Sequence, residues 1–179
     1  LALVLALICC SPSPRGSVIL CAGDSITDSE YPRYLHRLFS QEGRRVRVLN
    51  YGRPGNTSGE YLRFLEMEKS GLAQTRPDFI LLQLGTNDVR LDGDATPAEA
   101  FGRNMKAIMA IFRGFRSRTG ATPALLLAMI PPVPEGLSYP FGSASRERVV
   151  REINPLIMKI AAEERVILVD NYTVFSQSP

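Results

Sequence analysis

Five short apolar runs set what this chain can fold into: VILCA (Val18 to Ala22), VRVLNY (Val46 to Tyr51), FILLQL (Phe79 to Leu84), ALLLAM (Ala124 to Met129) and VILV (Val166 to Val169). Most are continuous rather than alternating, the pattern of strands covered on both faces. Longer amphipathic stretches separate them, which is the rhythm of βα units. With right-handed crossovers, such units give an α/β fold, a three-layer αβα sandwich around a five-stranded parallel sheet.

Helix starts are legible between the runs. Asp28 or Ser29 is expected to cap a helix to about Gln41, with Leu35, Leu38 and Phe39 on one face. Thr57 and Glu60 have the spacing of a capping box ahead of Leu62, Phe64 and Leu65. Thr96, Pro97 and Glu99 combine a cap, a first-turn proline and a reciprocal acid before a run to about Arg118. A further helix from about Ser143 to Glu164 contains Pro155, which should split it near Asn154.

The 179 residues suit one domain, read as 17–179. Residues 1–16 differ: LALVLALICC is wholly apolar and SPSPRG is a proline-broken linker. Ten apolar residues fall short of the roughly 20 that a bilayer-spanning helix needs, so the segment reads as part of a secretory signal with no stable membrane insertion. The expected location is secreted or periplasmic, and lipid anchoring through Cys9 or Cys10 ranks below plain export. No initiator Met precedes the segment, so the start is expected to be truncated. Cys21 reads as a packed core thiol. A net charge of +3, with Arg44, Arg45 and Arg47 flanking a strand without interleaved aromatics, argues against a nucleic-acid partner. Oligomeric state is not legible.

Function gathers beyond the carboxyl ends of parallel strands, and three of those ends carry polar loops: GDSIT (Gly23 to Thr27), YGRPGNTS (Tyr51 to Ser58) and GTND (Gly85 to Asp88). A serine displayed at a strand tip suits nucleophilic attack, and acyl transfer also needs donors aimed at the developing oxyanion. The N–H of Gly55, the carboxamide of Asn87 and the N–H of Ser25 can supply them. Each residue also has a plainer reading. Asp24 and Ser25 suit a helix cap, Pro54, Gly55 and Asn56 a turn, Asn87 and Asp88 another turn, with Asp88 only holding its loop. The loop Pro131 to Ser143, with Tyr139 and Phe141, is expected to wall a substrate pocket.

Taken in order, Gly23-Asp24-Ser25-Ile26-Thr27, Asn50 through Gly55 to Thr57, and Gly85-Thr86-Asn87-Asp88 resemble the first three signature blocks of the GDSL, or SGNH, hydrolases. That resemblance implies a flavodoxin-like fold and a serine esterase. It makes Ser25 the catalytic nucleophile and Ser25 N–H, Gly55 N–H and the Asn87 side chain the oxyanion hole, with no metal or organic cofactor. The substrate implied is a small-molecule or carbohydrate ester: an acetylated carbohydrate, a short-chain ester, a lysophospholipid or a thioester. The family's fourth block, Asp-x-x-His, has no counterpart here. The one histidine, His36, belongs to the first helix and reads as a surface or half-buried residue rather than the catalytic base, and Asp170 reads as a turn former rather than the triad acid. The expectation is a chain truncated before that block and nearly inactive alone. A different class, a non-catalytic ester- or carbohydrate-binding module of the same fold, stays open at this point.

Overall fold

The computed structural model describes residues 16–177, so the signal-like segment and all of its linker but Gly16 lie outside the described residues. The five apolar runs form β1 (Ser17–Gly23), β2 (Val46–Gly52), β3 (Phe79–Gln83), β4 (Ala124–Ala128) and β5 (Ile167–Val169). All pair in parallel, in the order β2-β1-β3-β4-β5. β1 is buried along its whole length, whereas β2 and β5 close the sheet edges and are mostly half-buried or exposed. Burial on both faces therefore holds best for the inner strands and fails at the two edges, where one flank of the backbone has no strand beside it among the described residues.

Alternate residues sort to the two faces, as the pleat requires. Leu20, Ile80, Leu82, Leu125 and Leu127 share a large core with Tyr61 and Leu65 of α3 (Ser58–Ala73), Phe101, Met105 and Phe112 of α4 (Ala98–Arg113), and Ile157 and Ile160 of α6 (Asn154–Glu163). On the other face Ile19, Cys21 and Leu126 form a smaller core with Leu35 and Phe39 of α2 (Tyr31–Gln41). Burial pushes the Cys21 thiol up to about 12, against a hydrogen bond from Tyr31, so it stays an unreactive packed group.

Local rules account for most helix ends, and tertiary contacts moved the rest. At α3 the capping box forms: the Thr57 N–H donates to Glu60 Oε2 at 2.8 Å and Thr57 Oγ1 accepts from the Glu60 N–H. The first helix begins later than expected. Asp28 closes a single turn, α1 (Ser25–Asp28), and α2 starts at Tyr31, with Pro32 in its first turn where a missing N–H costs nothing. Thr96 does not cap α4. Pro97 holds the cap position in an extended conformation, while the Thr96 N–H donates to the Asp88 carbonyl and its own carbonyl accepts from Arg148. That helix ends at Arg113, not near Arg118, because Gly114 terminates it and Phe115 turns back into the core.

Pro155 divides the next helix as its missing N–H demands. α5 (Ser143–Arg148) passes through a widened, π-type turn at Val149–Ile153 into α6. Asn154, at that joint, is buried and pairs its carboxamide with both the N–H and the C=O of Ile130, each at 3.0 Å. The last helix is α7 (Asn171–Ser176). Among the described residues, no helix is long and apolar enough to cross a membrane.

Candidate active site

Strand register brings the three polar loops to one edge. Gly23 pairs with Gly52 of β2 on one side and with Gln83 of β3 on the other. Ser25, Gly55 and Asn87 thus follow the carboxyl ends of three adjacent strands at one level. Between β1 and β3 the chain reverses its direction of travel across the sheet, which opens a crevice there.

In the first loop Asp24 is buried, and its Oδ1 accepts the Ile26 N–H at 2.9 Å, which caps α1. Ser25 is the first residue of that turn and is exposed. Its N–H precedes the helical hydrogen bonds and so has no partner within the helix. The turn folds back tightly over the sheet. A Cβ on Gly23 would come within 2.2 Å of the Gln83 carbonyl and of Thr27 Oγ1, and one on Gly52 within 2.2 Å of the Asp28 nitrogen.

In the second loop Arg53-Pro54-Gly55-Asn56 is a type II turn, closed by the Asn56 N–H on the Arg53 carbonyl at 3.1 Å, with Gly55 at φ +79°. Proline sets the first corner and glycine permits the second. The closing bond leaves the Gly55 N–H outside the turn's own pairing. The Arg53 N–H donates to the Gly23 carbonyl at 2.8 Å, fastening this loop to the first.

The third loop is fastened to the second. Asn87 is buried, and its Nδ2 donates to the Asn56 carbonyl at 2.9 Å, which fixes the carboxamide and leaves its second N–H for another acceptor. Asp88 does more than hold its own loop. Its carboxylate accepts the Ser58 N–H at 3.0 Å and the Ser58 hydroxyl at 2.6 Å, tying the start of α3 to the end of β3. Asn104 of α4 donates to the same Ser58 oxygen, and Arg148 Nη1 donates to the Asp88 carbonyl at 2.8 Å. Asn56 and Ser58 carried a weak signal inside the second block. Arg148 carried none, since its partners lie 60 and 52 residues away.

Two carboxyls, Asp24 and Asp88, are buried beneath this edge. Burial pushes Asp24 up to about 6, opposed chiefly by the Ile26 N–H, and the nearby Asp88 charge adds to the rise. Burial also raises Asp88, opposed mainly by the Ser58 hydroxyl. His36 is exposed on α2, and Asp170 caps α7 by accepting the Thr173 N–H at 2.9 Å, a helix cap rather than the turn expected of it. The loop after β4 borders the third loop, where the Leu91 N–H donates to the Pro140 carbonyl at 2.8 Å, and Leu91, Leu137 and Tyr139 are exposed there. Among the described residues no cluster of His, Cys, Asp and Glu could hold a metal ion.

The sequence model of the GDSL-like lipase/acylhydrolase family matches residues 21–179. No curated protein matches the chain significantly. Solved structures of similar fold include a carbohydrate acetylesterase family member from Sinorhizobium meliloti, at 20% identity and a TM-score of 0.70, covering 86% of this chain and 82% of that one. An acetylxylan esterase, Axe2, from Geobacillus stearothermophilus is 19% identical with a TM-score of 0.69, covering 93% and 81%. LAE5, described as an alpha/beta hydrolase enzyme from the metagenome of Lake Arreo, is 23% identical with a TM-score of 0.70, covering 90% and 80%. At these identities the likeness is one of fold.

Proposed function

The chain belongs to the GDSL-like lipase/acylhydrolase family and is an ester hydrolase, and on that premise we propose that it works through an acyl-enzyme on Ser25. Family membership favours the hydrolase over the binding-module alternative. Ser25 Oγ attacks the ester carbonyl carbon and loses its proton to a base. The carbonyl oxygen takes the negative charge, and the alcohol departs with a proton as the C–O bond breaks. Water then releases the acid from Ser25. The oxyanion is held by the N–H groups of Ser25 and Gly55 and by the free N–H of Asn87, donors already oriented before charge develops. The observation that carries this reading is the bond from Asn87 to the Asn56 carbonyl, which joins two of the three donor loops while Gly23 joins the third through register.

The 179 residues hold one histidine, His36, exposed on α2, so no imidazole is assigned to take the Ser25 proton. Turnover by these residues alone is therefore expected to be slow. Short acyl groups on sugar hydroxyls are the substrates to try first, since two structural neighbours are described as carbohydrate acetylesterase and acetylxylan esterase.

Acylation by p-nitrophenyl acetate, followed by peptide mass spectrometry, tests the assignment without requiring fast turnover. The acetyl group should sit on Ser25, vanish in Ser25→Ala and form roughly 10²–10³ more slowly in Asn87→Ala. An unchanged acylation rate in Ser25→Ala would rule Ser25 out.

A further inference from the structure

Arg53 opens the turn that carries Gly55, and acyl transfer gives its side chain nothing to do. The guanidinium carbon lies 4.1 Å from the centroid of the Phe64 ring on α3, so the head group is held in place by stacking. The residue is exposed, and among the described residues it forms no ion pair. The carboxylate of the helix that follows, Glu60, is occupied by the N–H and hydroxyl of Thr57. An unpaired guanidinium stacked on a ring loses less entropy on binding than a free one, and its fork fits carboxylate or phosphate oxygens.

We propose that Arg53 is a specificity-determining residue that binds an anionic group carried by the ester substrate. The inference rests on the reading of Ser25 and Gly55 as the reacting edge. Arg53 stands two residues before Gly55 in the same turn and its N–H bonds the Gly23 carbonyl at 2.8 Å, so its side chain starts from the edge that carries Ser25, and the anion it would meet lies a few atoms from the ester carbonyl. The anion can belong to the acyl half, as in a monoester of a dicarboxylic acid, or to the alcohol half, as in an acetylated acidic sugar.

Hydrolysis-resistant amides separate these sources without turnover. Butyranilide against glutaranilic acid places the carboxylate on the acyl side, and acetanilide against 4-acetamidobenzoate places it on the leaving-group side. Binding is followed by NMR titration of the full chain. One anionic amide should bind about three- to fivefold more tightly than its neutral partner, the range of a partly exposed charge pair. The preference should shrink with added salt and disappear in Arg53→Met, which keeps an apolar stem against Phe64. Binding of the neutral amides by Arg53→Met reports that the variant is folded. Equal affinity within both pairs, or a preference that survives Arg53→Met, overturns the proposal. Failure of the esterase reading appears separately, as absent acylation of Ser25 by p-nitrophenyl acetate.

Discussion

Asp24 and Ser25 are neighbours in opposite environments: the acid is buried under the edge of the sheet, and the hydroxyl stands in solvent. Burial makes the native Asp24 carboxyl hold its proton up to about 6, against an ordinary value of 3.8. A native pKa above the unfolded one means that the folded state binds more protons between these two values. Stability should therefore fall as pH rises from 3.8 to about 6 and then level off, with a cost at neutral pH on the order of 3 kcal/mol. Asp24→Asn keeps an oxygen for the Ile26 N–H and removes the charge. It should raise the melting temperature at pH 7 and flatten the melting profile between pH 4 and 6, leaving the slope due to Asp88. Parallel profiles for the two proteins would contradict this account. The sequence displayed Ser25 and its acid side by side; only burial reveals that the acid is a cap under strain of desolvation rather than a second exposed group.

At the scale of elements, α3 carries the site's second loop on its amino end and is held there twice, by the Thr57 and Glu60 box and by Ser58 on Asp88. Thr57→Ala removes one of these holds. The expected loss is about 1 kcal/mol, a fall of roughly 2–4 °C in a calorimetric melt, with Asp88 still anchoring Ser58. The box was legible because all its partners lie within four residues. The start of α2 was not, since Asp28 is used to close α1 and its backbone packs against Gly52 of a neighbouring strand. Thr96 was misread for a similar reason: its backbone groups bond to Asp88 and Arg148, which place it one residue ahead of the cap, Pro97.

Across the whole molecule the sheet is covered unequally. One face packs under α3, α4 and α6, and the other gathers around α2. Leu82→Ala, in the inner strand β3 and the larger core, should cost about 2–5 kcal/mol in urea melts. Val169→Ala, on the half-buried edge strand β5, should cost about 1 kcal/mol or less. Similar losses at the two positions would show that the edges are as tightly packed as the centre. The sequence by itself determined the parallel αβα architecture, the five strands and the three polar loops, because two-face burial, capping and turn chemistry are written in residues close along the chain. It also carried the family, since three short blocks recur in order. Tertiary structure decided what those loops do to one another: the strand order that sets Gly23 between Gly52 and Gln83, the Asn87 bond to Asn56, the burial of Asp24, and the stacked, unpaired Arg53. Each of these depends on groups that meet only after strands distant in sequence have paired, and no local pattern of residues encodes such a meeting.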